Sequence, residues 1–414
     1  MKMHEDGQWK DEPRIGFLLL LLIGLNLRPF LTSLGPVLDK VRLDTGVNYG
    51  TAAFITSLPF LLMGGLAFAS VILIRHCGER SALMAALTLL GVGCGARLWI
   101  EGGGSLVLSA GLAGSGVAVI QALLPGVAKR WFPHRINLAM GLYSAALVGG
   151  GALGAIVSPW VSEQLDSWRW GLALWSLPAF MVLLLWYWLA PSPPTPVSND
   201  ACSPGLTPFL LNRRAWLLAL YFGLANSGYS SLVAWLPSFY REYGFGSQST
   251  GNLLAWMALF QAAAALLMPC LARKSKDRRP VLYLALLLQL AGFIGFALLP
   301  GSYPWLWVAL AGSGLGGFFS LSLILSLDHL HQAQAAGTLA AFVQGVGFII
   351  AATAPWLLGA WLDLGGNFVS GWWVHGGVAC SMLFLSRIFD PDGYRHAMGN
   401  LQPRLRTAAH PERL

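Results

Sequence analysis

Charge is scarce in this chain, and acid is scarcer than base: of 414 residues, 11% are charged, with 18 Asp or Glu against 26 Lys or Arg. An ordinary soluble domain carries roughly 25% charged residues. No acidic residue stands in the middle of a long apolar run; Asp39, Asp44, Glu101, Glu163, Asp166, Glu242, Asp328 and Asp363 all fall at run ends or in the joins. A buried carboxylate is the usual titrating group at membrane depth; without one, His375 is the one mid-run group that titrates near neutrality. The 5 cysteines (Cys77, Cys94, Cys202, Cys270 and Cys380) are odd in number, widely spaced and without a Cys-x-x-Cys pair, which argues against a metal or redox centre. Also missing are a Gly-x-x-x-x-Gly-Lys-[Ser/Thr] phosphate loop, a complete Gly-x-Gly-x-x-Gly after a strand, a Gly-x-Ser-x-Gly elbow and a His-Glu-x-x-His pair. An enzyme or a built-in ATPase has nothing to stand on, and neither cofactor nor metal is expected.

What the chain has in quantity is apolar surface, 56% hydrophobic residues with 49 glycines. A soluble fold of this length cannot hide that much, whereas close-packed helices in lipid use both. Spanning the hydrocarbon takes about 20 apolar residues. By that criterion twelve segments qualify: 15–38, 50–74, 81–99, 104–128, 137–162, 168–190, 214–240, 249–272, 280–300, 304–327, 336–362 and 367–389. The run from Ile15 continues past Pro29 to Pro36 without a small-x-small cleavage site, so it counts as the first span rather than a signal peptide. Short joins make neighbours antiparallel. The exception, 191–213, carries Pro191, Pro193, Pro194, Pro196, Pro204 and Pro208 and reads as a linker, neither helix nor core.

The fold expected is therefore an all-α membrane protein of two six-helix halves, 1–190 and 214–414 with its tail, joined by 191–213. With the N-terminus inside, the inner segments hold 20 of the 26 Lys and Arg, and the outer side only Lys40, Arg42, Arg97, Arg169 and Arg241. Both termini are then cytoplasmic. The basic excess is topology, not a nucleic-acid footprint; the expected partners are a small solute and the bilayer, with the chain as a monomer. An internal repeat supports the halves: Arg75-x-x-x-Glu79-Arg80 returns as Arg273-x-x-x-Asp277-Arg278, and Gly24-Leu25-Asn26 with Pro36 returns as Gly223-Leu224-Ala225-Asn226 with Pro237. Parallel repeats of this kind belong to transporters whose site lies between the halves near the midplane.

A more specific likeness follows. Asn26-Leu27-Arg28-Pro29-Phe30-Leu31-Thr32-Ser33-Leu34-Gly35-Pro36 resembles the first-helix signature of the bacterial cyanate and 2-nitroimidazole permease branch of the major facilitator superfamily. Leu123-Leu124-Pro125 with Lys129-Arg130-Trp131-Phe132-Pro133, Ala234-Trp235-Leu236-Pro237, Gly314 to Phe319 and Gln344 to Phe348 follow in order. The branch usually has an arginine after the tenth helix; here stand Leu327-Asp328-His329. The resemblance implies the major facilitator fold, the inner membrane of a bacterium, and a small anionic or polar solute, cyanate-like or nitroimidazole-like. A drug or metabolite efflux carrier of the same fold, or a non-transporting receptor, are the rival readings.

Arg28, about midway along the first span, is the candidate that carries most. A charge at the bilayer centre costs roughly 2.5–3.5 kcal/mol, and no carboxylate is in sequence to repay it, so the substrate is its candidate counter-ion; the alternative is a packing role on backbone carbonyls. Pro29 cannot donate to the Leu25 carbonyl and clashes with it, which predicts a kink or opening beside Arg28. Asn26, Thr32, Gln121, Tyr143, Asn226, Tyr229 and Gln344 are polar groups at membrane depth and complete the candidate substrate site. Trp235 is a candidate for closing the outer gate, or one of the many interfacial tryptophans. The charged loops Arg75, Glu79, Arg80 and Arg273, Asp277, Arg278 are candidates for a cytoplasmic gate, pairing within or across the halves.

Overall fold

The computed structural model describes residues 13–132, 135–190, 207–273, 275–330 and 332–399, and these are helix and short connections only. In chain order the helices are α1 (Pro13–Asn26), α2 (Pro29–Thr32), α3 (Leu34–Thr45), α4 (Tyr49–Cys77), α5 (Glu79–Gly95), α6 (Gly103–Trp131), α7 (Ile136–Gln164), α8 (Trp168–Ala173) and α9 (Ser176–Leu189). There follow α10 (Thr207–Leu210), α11 (Arg213–Glu242), α12 (Ser247–Ala272), α13 (Arg279–Leu298), α14 (Pro304–Asp328), α15 (Ala333–Asp363), α16 (Phe368–Leu385) and α17 (Tyr394–Ala397). Short 3₁₀ turns occupy Ala96–Trp99, Ser386–Ile388 and Pro391–Gly393.

Among the described residues, twelve helical spans are long and apolar enough to cross a bilayer, and they coincide with the sequence-predicted segments to within a few residues at most ends. Length explains this: in lipid a backbone must satisfy its own hydrogen bonds, so each apolar run of about 20 residues closes on itself as a helix. Internal prolines do not interrupt that rule. Pro59, Pro125, Pro159, Pro237, Pro269 and Pro355 all lie inside helices that run on. The first span differs, arriving as three pieces, α1, α2 and α3.

One expectation from the proline-rich join is corrected. Residues 191–206 lie outside the described residues, but 207–210 form a helical turn whose Phe209 is fully buried. Pro208 is tolerated there because a first turn needs no N–H from its opening positions.

The chain packs as two compact units. Unit 1 comprises Met1–Pro196, Ser230–Leu259 and Pro355–Phe368; unit 2 comprises Val197–Tyr229, Phe260–Ala354 and Val369–Leu414. In unit 1, α6 lies against both α4 and α5, α1 and α2 against α7, and α5 against α9. Unit 2 is centred on Tyr221, Phe222, Leu286, Phe318 and Phe389, with α13 along α14.

Candidate functional site

The site grows out of the break in the first span. α1 stops at Asn26, Leu27 and Arg28 bend, and Pro29 opens the single turn α2. Arg28 is the residue before α2, and its carbonyl takes the amides of Leu31 and Thr32, both at 3.1 Å. A second bend follows at Ser33, whose amide donates to the Pro29 carbonyl at 2.9 Å. The kink predicted beside Arg28 is therefore present as a full interruption.

Proline alone does not produce it, since six other prolines leave their helices intact. The remaining cause is the seat on α7. Gly150 lies so close to the Leu25 carbonyl, the group Pro29 leaves without a helical donor, that a Cβ there would collide with its oxygen. One turn further on, a Cβ on Gly154 would stand 2.6 Å from the Pro29 Cα. Between them the Gly151 carbonyl accepts the Thr32 hydroxyl at 2.7 Å. The run Gly149-Gly150-Gly151-Ala152-Leu153-Gly154 is visible in sequence, but its partner is not.

Arg28, Asn26, Thr32 and Tyr143 come together around this break, all in unit 1. Arg28 is half-buried, the other three buried. Tyr143, on α7, packs against Gly24 and is near enough to Arg28 for the guanidinium charge to act on its phenol. Asn26 donates its amide to the Leu22 carbonyl at 2.8 Å. Gln121 sits on α6, half-buried, in the same unit. Asn226, Tyr229 and Gln344 belong to unit 2; Asn226 repeats the Asn26 arrangement, donating to the Phe222 carbonyl at 2.7 Å. His375 is buried in a stack, its ring 5.1 Å from that of Phe293.

Trp235 is no interfacial residue. It is fully buried, donates its indole N–H to the Pro355 carbonyl at 2.9 Å, and meets the rings of Tyr49 and Phe368. Around this aromatic group unit 1 carries a set of fastenings that sequence reading missed. Asp363, ending α15, accepts the amides of Tyr49 and Gly50 at 2.9 and 2.7 Å, placing a carboxylate on the positive end of α4. Asp39 of α3 pairs with Arg241 at 2.5 Å. Arg42 lies over the Tyr49 ring at 3.3 Å. A cavity of about 640 Å³ opens beside them, lined by Asp39, Arg42, Tyr49, Arg241, Glu242 and Phe368 among others. At the end of α3, Asp44 accepts the Trp168 indole N–H and the Arg169 guanidinium, which hold its carboxyl below the usual carboxylate range.

The charged loops pair within each unit. In unit 1 Glu79 meets Arg130, and Arg80 donates to the Tyr187 carbonyl at 2.6 Å; the Arg75 side chain lies outside the described residues. In unit 2 Arg278 pairs with Asp328 at 2.8 Å, and Arg279 bridges Asp277 and Asp390 at 2.9 and 2.8 Å. Arg279 draws the Asp277 carboxyl below its ordinary range. Arg273 is exposed. Of the three residues that depart from the branch pattern, the two polar ones are engaged: Asp328 holds Arg278, and His329 accepts the Arg214 guanidinium N–H at 3.1 Å while stacking on Tyr394.

Twelve apolar spans with a repeated loop motif and a guanidinium at a broken helix define a polytopic membrane protein. The chain belongs to the Major Facilitator Superfamily, which it matches over residues 17–355. It is 46% identical over 374 residues to the cyanate transport protein CynX of Escherichia coli K12, covering 90% of this chain and 97% of that one. It is 30% identical to the 2-nitroimidazole transporter of the same organism, covering 84% and 88%. Among solved structures a D-xylose–proton symporter superposes with a TM-score of 0.73 at 15% identity (90% of this chain, 96% of that one). The nucleoside transporter NupG gives 0.72 at 14% (91% and 97%). Both share the fold.

Proposed function

We propose that this chain is a secondary transporter that carries a small anion of the cyanate kind across a bacterial inner membrane by alternating access, with Arg28 binding the anion. The observation that carries the reading is Arg28 at the broken helix, in a chain 46% identical to a cyanate transport protein. Cyanate is a linear monoanion with an acceptor at each end. A guanidinium offers five donors in a rigid fork, and contact with it strengthens where water is scarce. A nitro group presents two acceptor oxygens to the same fork, so the likeness to a 2-nitroimidazole transporter favours nitro-heterocycles as the second cargo to test.

In this reading residues 1–190 and 214–414 are the two halves and 191–213 the cytoplasmic linker, with both termini inside, as the Lys and Arg distribution supports. Asn26, Thr32, Gln121, Tyr143, Asn226, Tyr229 and Gln344 surround the pathway, and Trp235 with the Asp363 and Asp39 fastenings closes the outer side. Arg75, Glu79, Arg80, Arg273, Asp277 and Arg278 act at the cytoplasmic gate. A bias of about 1.4 kcal/mol between two conformations shifts their ratio tenfold, which a few ion pairs supply.

The test is cyanate binding and uptake by the purified protein in liposomes. Arg28→Lys keeps the charge but loses the fork and should weaken binding by about tenfold, the worth of one charge-assisted hydrogen bond. Arg28→Ala should nearly abolish binding while the protein still purifies folded. Wild-type affinity in Arg28→Ala would end the assignment of Arg28.

A further inference from the structure

Arg97 reads in sequence as one of the five basic residues of the outer side, at the end of the span 81–99. In the structure it is buried, with 1% of its surface exposed, in the 3₁₀ turn that ends the third span. Its Nη1 donates to the Phe30 carbonyl at 3.2 Å, and its Nε has no hydrogen-bond partner. No carboxylate pairs with it among the described residues. A buried guanidinium answered by one neutral carbonyl is a net burden on stability, because desolvation exceeds what a single hydrogen bond returns.

The place it grips makes sense of the burden. Phe30 is in α2, two residues beyond Arg28 and inside the span that arrives as three helices, α1, α2 and α3. Arg97 reaches it from a firm base: α5 is packed so closely on α6 that a Cβ on Gly93 would stand 2.5 Å from the Ala113 amide nitrogen. The α7 glycines press the break from one direction and the Arg97 guanidinium ties it from another.

We infer that Arg97 is a positioning residue for anion transport: by holding the Phe30 carbonyl it fixes the turn that presents Arg28. This rests on the reading of Arg28 above, and the experiment separates the two. Arg97→Met, Arg97→Lys, Arg28→Lys and the Arg28→Lys/Arg97→Met double variant are reconstituted. Cyanate half-saturation, maximal uptake per folded protein, thermal unfolding and amide exchange of residues 31–34 are then measured.

Arg97→Met should raise half-saturation about tenfold with maximal uptake nearly unchanged, because preorganisation of the binding group is lost. It should leave unfolding no earlier than wild type, since a buried charge is gone, and it should speed exchange at 31–34. Arg97→Lys keeps a donor for Phe30 and should recover most of the affinity. In the double variant the two affinity losses should fall short of their product. A merely structural residue would show the opposite split, with maximal uptake or stability lost and half-saturation kept, and that result overturns the proposal. Unchanged exchange in Arg97→Met also overturns it, whatever Arg28 does. Faster exchange with normal cyanate affinity in Arg28→Lys would instead remove the Arg28 reading and leave Arg97 as the tie of the break.

Discussion

The first and seventh spans begin from nearly the same sequence plan and end in different shapes. Each carries Gly-Leu and an Asn whose amide bonds back to a carbonyl four residues earlier, Asn26 to Leu22 and Asn226 to Phe222. At an offset of 200 residues, Arg28-Pro29 faces Gly228-Tyr229. The first span breaks there, whereas α11 runs unbroken for 30 residues. Since α11 passes through its own Pro237 without stopping, proline is not the whole cause. The neighbours differ more than the spans do. Gly150 brings its backbone onto the Leu25 carbonyl, while on the other side Gly347 of α15 meets the Phe222 ring. A carbonyl that has lost its helical donor and is pressed by a neighbouring backbone cannot return to the helix; a ring against a glycine leaves the main chain of its own helix untouched.

That contrast is broken most strongly at the glycines. Gly150→Ala should cost about 3 kcal/mol, because its Cβ meets main chain that is fixed on both sides. Gly347→Ala should cost less, as its Cβ meets chiefly the Phe222 side chain rather than main chain. Denaturation of both variants in the same detergent decides the order, and equal costs would mean that the seat on α7 is not special.

A second difference lies at the feet of the two spans, where Arg14 and Arg214 also stand 200 residues apart. Arg14 is exposed; Arg214 is tied to His329, whose ring must stay neutral to accept its N–H. Burial, with the Arg214 charge adding to it, lowers the His329 pKa to about 4. An unfolded histidine protonates near 6.5, so between these values the unfolded chain binds more protons. Stability from this contact is complete above about pH 6.5 and drains as pH falls toward 4. By pH 5.5 the loss should be about 1.4 kcal/mol. Comparing unfolding at pH 7.5 and 5.5 tests this: His329→Gln should flatten the difference, and an equal drop in that variant would assign the pH dependence elsewhere.

The smallest effect expected is at Pro29 itself. If the α7 seat maintains the break, Pro29→Ala should cost only about 0.5–1 kcal/mol, the stiffness proline removes from the unfolded chain. Amide exchange at Leu27 and Arg28 should be the same as in the wild type; a gain in protection of these two amides to the level of mid-α11 would show that proline, not the seat, opens the helix.

The candidate site was legible in proportion to how local its causes are. Arg28, Asn26, Thr32 and Pro29 are one stretch of chain, and the cost of a charge at that depth together with the missing N–H of proline pointed to them directly. Trp235 was singled out with two roles open, and its burial on the Pro355 carbonyl is a contact 120 residues away in sequence. The charged loops are legible as ion-pairing segments, yet their partners Arg130, Asp328 and Asp390 could not be chosen from many alternatives.

The sequence by itself determined the twelve spans, their repeat, the family and the place where the first span must bend, because apolar length, loop charge and a proline act on residues a few positions apart. Only the tertiary structure decided that the bend is a break seated on Gly150, that Asp363 caps α4 from 313 residues away, and that Arg97 is buried rather than facing the outer side. Those outcomes depend on which backbone comes within van der Waals reach of which carbonyl, and no periodicity along the chain records that.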